Sequence, residues 1–104
     1  MTAETIPRNR IVPEHSTFTD DNHTVFTAEI YLEGVQKSDI SLRMRDESFY
    51  LSAPSSDDTV YEMAHGICHP VDPEKARATF SGGVLKFEVP FREPLSPLVD
   101  IPIG

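Results

Sequence analysis

In six stretches of this chain, apolar residues recur at every second position, and turn residues stand between the stretches. From Val25 to Leu32, Phe26, Ala28, Ile30 and Leu32 fall on one side, while Thr27, Glu29 and Tyr31 fall on the other. A period of two marks an extended strand with one face against a core. Ile40, Leu42 and Met44 alternate with Ser41, Arg43 and Arg45, and Phe49, Leu51 and Ala53 alternate with Tyr50 and Ser52. Between Val60 and Ile67, Tyr61 and Met63 lie opposite Val60, Glu62 and Ala64. Ala76, Ala78 and Phe80 then alternate with Arg77 and Thr79, and Leu85, Phe87 and Val89 with Val84, Lys86 and Glu88.

The breaks between these stretches have their own chemistry. Gly34 suits a turn that needs a positive φ. Asp46-Glu47-Ser48 is short enough to make the flanking strands an antiparallel hairpin. Ser81-Gly82-Gly83 is a second hairpin signal. Asp72 and Pro73 could cap and open a helix, but the apolar pattern does not continue at helical spacing, so a single turn is predicted. Nine prolines in 104 residues exclude long helices and favour short strands. A weaker strand signal lies near Ile11 and Val12, and alternation begins again at Phe18. Six or so short strands with frequent turns predict one all-β domain, an antiparallel β-sandwich.

Apolar residues make up 38% of the chain and charged residues 25%, which supplies one modest core. The net charge of -8 repels phosphate backbones, so nucleic acid is not an expected partner. No apolar run is long enough to span a bilayer, so no membrane association is expected. The first ten residues lack the apolar stretch of a secretory signal, and Cys68 has no second cysteine to pair with. The expectation is a reducing cytoplasm.

Three segments resemble the small heat shock proteins of the Hsp20/α-crystallin family. Ile30-Tyr31-Leu32-Glu33-Gly34-Val35 through Asp39-Ile40 is similar to the family's "LPGV…EDI" stretch, with Glu33 where proline is usual. Ala78-Thr79-Phe80-Ser81-Gly82-Gly83-Val84-Leu85 resembles its "A-x-x-x-x-G-V-L" hairpin, preceded by the spacer Val71 to Ala76. Ile101-Pro102-Ile103 resembles its C-terminal I-x-I motif. The similarity covers roughly residues 13–104, and its order and spacing carry more weight than any one segment. It implies an immunoglobulin-like sandwich at 13–91, between a flexible arm at 1–12 and a C-terminal extension at 92–104.

The resemblance also implies a function. Family members capture partly unfolded proteins without ATP or any cofactor, and they form homo-oligomers. There, the I-x-I of one chain enters a groove between two strands of another. By position, the groove strands carry Ile40, Leu42, Met44, Ala76, Ala78 and Phe80, and the latch is Ile101 with Ile103. Pro102 keeps that segment extended, and the two isoleucines project to one side. Arg43, Arg45 and Arg77 are candidate interface residues, with Arg77 expected to join the other two across one sheet, facing Glu29 or Glu88. Only Pro54 to Thr59 stands where bacterial-type members carry a long loop with an exchanged strand, so no exchange is expected. The short arm, without an aromatic residue before Phe18, predicts a dimer or small assembly.

Other constellations point to less. His65, Cys68 and His69, with His15 or His23, supply soft ligands but no zinc spacing, so no metal is expected. Cys68 reads instead as a small buried apolar residue, and a Cys68–His69 pair is excluded as a nucleophile because neighbours in a strand face opposite ways. Ser16, Asp20 and His23 lack the strained turn of a catalytic serine. Asp20-Asp21 and Asp57-Asp58 read as turn residues rather than calcium ligands. No catalytic residue is assigned, and the chain is expected not to be an enzyme. The competing readings are an adaptor of the CS-domain type that binds one defined partner, and a metal or redox protein using His65, Cys68 and His69.

Overall fold

The computed structural model describes residues 9–55, 58–93 and 99–104. Eight strands occupy it: β1 (Asn9–Ile11), β2 (His15–Thr19), β3 (Val25–Tyr31), β4 (Ser41–Arg45), β5 (Ser48–Pro54), β6 (Thr59–Gly66), β7 (Arg77–Ser81) and β8 (Val84–Pro90). They form two four-stranded sheets, one in the order β1-β6-β5-β4 and the other β2-β3-β8-β7. All neighbours are antiparallel except β1 and β6, which run parallel. The all-β sandwich read from the alternation is therefore the fold.

The apolar side of each alternating stretch forms the layer between the sheets. Ala28, Ile30, Leu32, Phe49, Ala53, Phe87 and Val89 have no exposure, and Phe26, Leu51, Met63 and Leu85 are buried with them. Three rings meet near the centre: Phe49 and Phe87 pack edge to face with centroids 4.8 Å apart, and Phe26 lies 6.4 Å and 6.2 Å from them. Edge-to-face contacts of this kind add to the area each ring removes from water. Two loop residues, Ile67 and Val71, close the layer, and Val71 bridges Phe91.

Turn chemistry fixes the hairpins. Gly82 and Gly83, at φ 59° and 78°, both occupy the left-handed region between the paired residues Ser81 and Val84. A two-residue hairpin needs that backbone, and a side chain there would be strained. Gly34 has φ 77°. The Asp72-Pro73 signal yields one 3₁₀ turn, Pro73–Lys75, whose Asp72 makes no side-chain cap hydrogen bond; its carboxylate lies 3.7 Å from Lys75 Nζ instead.

Two strands exceed the six that the alternation marks clearly. β2 turns His15, Thr17 and Thr19 inward, since these are the partners of Ile30, Ala28 and Phe26, and it leaves Phe18 49% exposed. Its polar inner face disguises it as a loop. β1 lies within the stretch read as an arm. It pairs Asn9, Arg10 and Ile11 with Thr59, Val60 and Tyr61, and Arg10 reaches Glu62 at 3.6 Å.

Candidate functional site

Among the described residues, the outer strands are β1 and β4 in one sheet and β2 and β7 in the other. β4 alternates as its sequence does: Leu42 and Met44 are half-buried while Ser41, Arg43 and Arg45 are exposed. The partners of Leu42 and Met44 are Leu51 and Phe49, both in the core, so the apolar side of β4 faces inward. β7 does the same in the other sheet. Ala78 and Phe80 pair with the buried Phe87 and Leu85, although Ala78 itself remains exposed.

Ile40, Leu42, Met44, Ala76 and Phe80 all pack against the same core cluster. β4 and β7 are not closely packed against each other. Partly buried apolar side chains thus stand against the core on both of these outer strands, Leu42 and Met44 on β4 and Phe80 on β7. Ile101 and Ile103 are 76% and 97% exposed, so they do not pack on the domain. Among the described residues, the backbone hydrogen-bonding groups on the outer sides of β4 and β7 have no strand partner, and such edges are templates for an added strand.

The arginines need a correction. Arg43 and Arg45 share the outer face of β4, but Arg77 belongs to the other sheet and stands opposite Glu88. The three cannot form one cluster across a single sheet. They lie on the outer strands of the two sheets instead, two on β4 and one on β7. None of them makes an ion pair among the described residues.

Two histidines meet elsewhere, one from β2 and one from β6. The rings of His15 and His65 meet edge to face with centroids 5.7 Å apart, and His65 stacks on Phe49 at 5.4 Å. Their Nδ1 atoms lie 2.9 Å and 2.7 Å from the carbonyl oxygens of Pro13 and Gly66. A carbonyl only accepts, so each Nδ1 carries the proton. Beside them is a cleft of about 280 Å³ lined in part by Thr19, Phe26, Ile67, Cys68 and His69. Cys68 is exposed, which corrects its reading as a buried apolar residue: β6 ends at Gly66, and Ile67 takes the core position instead. His69 turns to Phe91. Among the described residues, no group of three or more His, Cys, Asp or Glu is placed to hold a metal ion.

Asp20 is a turn residue, as its sequence context suggested. Thr24 Oγ1 donates to its carboxylate at 2.6 Å, and the amides of Thr24 and Val25 donate at 2.7 Å and 2.8 Å. The Thr24 hydroxyl, followed by the Val25 amide, lowers its pKa from 3.8 to about 2. Asp57 lies outside the described residues.

No family model matches the chain, and no curated protein does either. Solved structures do. Heat shock protein 16.0 from Schizosaccharomyces pombe superposes with a TM-score of 0.71 at 17% identity, covering 90% of this chain and 99% of that one. The fold is that of the small heat shock proteins. A small heat shock protein from Xylella fastidiosa gives 0.66 at 18% identity over 90% of this chain and 97% of its own. A nuclear movement protein from E. cuniculi gives 0.58 at 16% identity over 82% of this chain and 98% of its own. The small heat shock protein fold is thus the better geometric match of the two kinds, in accord with the sequence resemblance.

Proposed function

We propose that this protein is an ATP-independent chaperone of the small heat shock type, which holds partly unfolded proteins and assembles with copies of itself. One observation supports the reading: β4 and β7 end their sheets with partly buried apolar side chains against the core, while the isoleucines of the tail are exposed. Exposed apolar side chains at period two, and strand edges that among the described residues have no strand partner, are complementary surfaces that one chain leaves unused. A second copy's tail, or an extended segment of an unfolded client, fits such an edge. Burial of each isoleucine contributes up to about 1.5–3 kcal/mol, and ordering the tail offsets part of that. The outcome is a reversible latch, suited to a holdase that exchanges tails for clients.

In this reading the sandwich is the binding body, the extension at 92–104 is the latch, and residues 1–12 contribute β1 rather than a wholly free arm. The work is binding, with no cofactor and no catalytic step, in the cytoplasm. The test is heat-induced aggregation of a model client without ATP. Suppression at substoichiometric to equimolar amounts supports the holdase. No suppression at molar excess overturns it and favours an adaptor for one defined partner.

A further inference from the structure

The solvent side of β4 and β5 holds two cations among hydroxyl groups. Phe49 and Leu51 are buried in the core, so the alternate residues of β5, and those opposite them on β4, share the outer face. There Arg43 stands opposite Tyr50, Arg45 opposite Ser48, and Ser41 opposite Ser52. A depression of about 380 Å³ lies on this face, lined in part by Ser41, Arg43, Tyr50 and Ser52.

These groups are free to donate outward. Ser41, Arg43 and Arg45 are exposed, and neither arginine has an ion-pair partner among the described residues. The hydroxyls of Ser41 and Ser52 make no hydrogen bond among the described residues. Tyr50 is 42% exposed, and Ser48 Oγ donates to its phenolic oxygen at 3.3 Å. Because that oxygen accepts from Ser48, its own hydrogen points to a partner outside the chain. The one carboxylate on this face of β5 and β6 is Glu62, opposite Ser52, and it lies 3.6 Å from Arg10. Asp39 precedes β4, and Asp46 and Glu47 form the turn after it, so the Arg43–Tyr50 pair sits between the acids rather than beside them. Two unpaired arginines on one strand face stand out in a chain of net charge -8.

The donor set selects the anion. Side chains two residues apart on a strand stand about 6.8 Å apart, close enough for two guanidiniums to converge on one group. A carboxylate brings one charge and two oxygens. A phosphate monoester brings close to two charges and three terminal oxygens, which match two guanidiniums and the Tyr50 hydroxyl. A nucleic-acid phosphodiester brings only one charge per phosphate, and an acidic chain repels a polymer of them. We infer that the outer face of β4 and β5 binds a phosphate monoester, with Arg43 and Arg45 balancing its charge and Tyr50 donating to a third oxygen. This site is separate from the chaperone reading, and neither depends on the other.

Calorimetric titration of the full native chain with O-phosphoserine tests the site, with serine as the blank. Saturable binding of one phosphoserine per chain is expected, and none of serine. Arg43→Gln weakens it about five- to ten-fold and Tyr50→Phe about two- to five-fold. Arg77→Gln makes the same charge change on the other sheet and leaves binding unchanged. Inorganic phosphate and a peptide with one phosphoserine distinguish the sources of the group. Tighter binding of the peptide assigns the site to phosphorylated protein segments, and equal binding assigns it to a free phosphate compound. Lack of saturation by about 20 mM phosphoserine, acetate bound as tightly, or equal losses in Arg43→Gln and Arg77→Gln would overturn the assignment. A fall in assembly mass for Arg43→Gln with phosphoserine binding intact would also overturn it, because the arginines would then belong to a subunit contact.

Discussion

Replacing Ile101 and Ile103 together with alanine separates the folding of the domain from its assembly. In the single chain these side chains are 76% and 97% exposed, so truncating them leaves the sandwich as stable as before, within about 0.5 kcal/mol. The cost in an assembly is different. Each change removes three carbons, at about 0.8 kcal/mol per buried methylene equivalent, which sets an upper value of about 5 kcal/mol for the pair. A tail laid along a strand edge keeps one side in solvent, and Ile101 is already about a quarter covered. Both facts lower the expected loss to about 2–4 kcal/mol. At 1.4 kcal/mol per tenfold, association weakens by roughly 30- to 700-fold. Sedimentation velocity over a concentration series reads the association, and urea unfolding of the dissociated protein reads the fold. Association within threefold of the native value would refute the latch. So would a loss of more than about 1 kcal/mol in unfolding free energy, because it would mean that the isoleucines pack on their own domain.

Three further outcomes follow from the fold. Phe49→Ala removes a ring with no exposure that touches Phe26, Phe87 and His65, and is expected to lower unfolding free energy by about 3–5 kcal/mol in urea titration. Gly82→Ala meets no atom within 4 Å, yet the residue sits at φ 59°, so its cost is conformational alone, about 1–2 kcal/mol. Asp20 has a folded-state pKa below its ordinary value, so its contribution is fully present above pH 3.8 and is lost as pH falls toward about 2. Asp20→Asn is therefore expected to flatten the fall in urea midpoint between pH 4 and pH 2, and an unchanged slope would count against the Thr24 and Val25 hydrogen bonds as its source.

Much of this protein is written locally. The strands over Val25–Tyr31, Ser48–Pro54 and Val84–Pro90 are legible because the two-residue period is a property of each segment alone, and the side that is apolar in sequence is the side buried in the sandwich. The Gly82-Gly83 turn is equally local, since only glycine enters that backbone region freely. The same alternation marked Leu42, Met44 and Phe80 as the inward side of β4 and β7.

Sheet order was not legible, because it depends on pairings between segments far apart in sequence and on burial summed over the whole chain. That is why Arg77 proved to lie in a different sheet from Arg43 and Arg45, and why β1 could be found parallel to β6, some fifty residues away in the chain. It is also why β2 was obscure: an edge strand buries little, so it tolerates His15, Thr17 and Thr19 on its inner face and loses the pattern that would announce it. The meeting of His15 with His65 and the exposure of Cys68 follow from how the sheets close and where β6 ends. The sequence by itself determined which side of each central strand is apolar, because water sorts side chains residue by residue; only the tertiary structure decided which edges stay open, because an edge exists only once every other strand has found its neighbour.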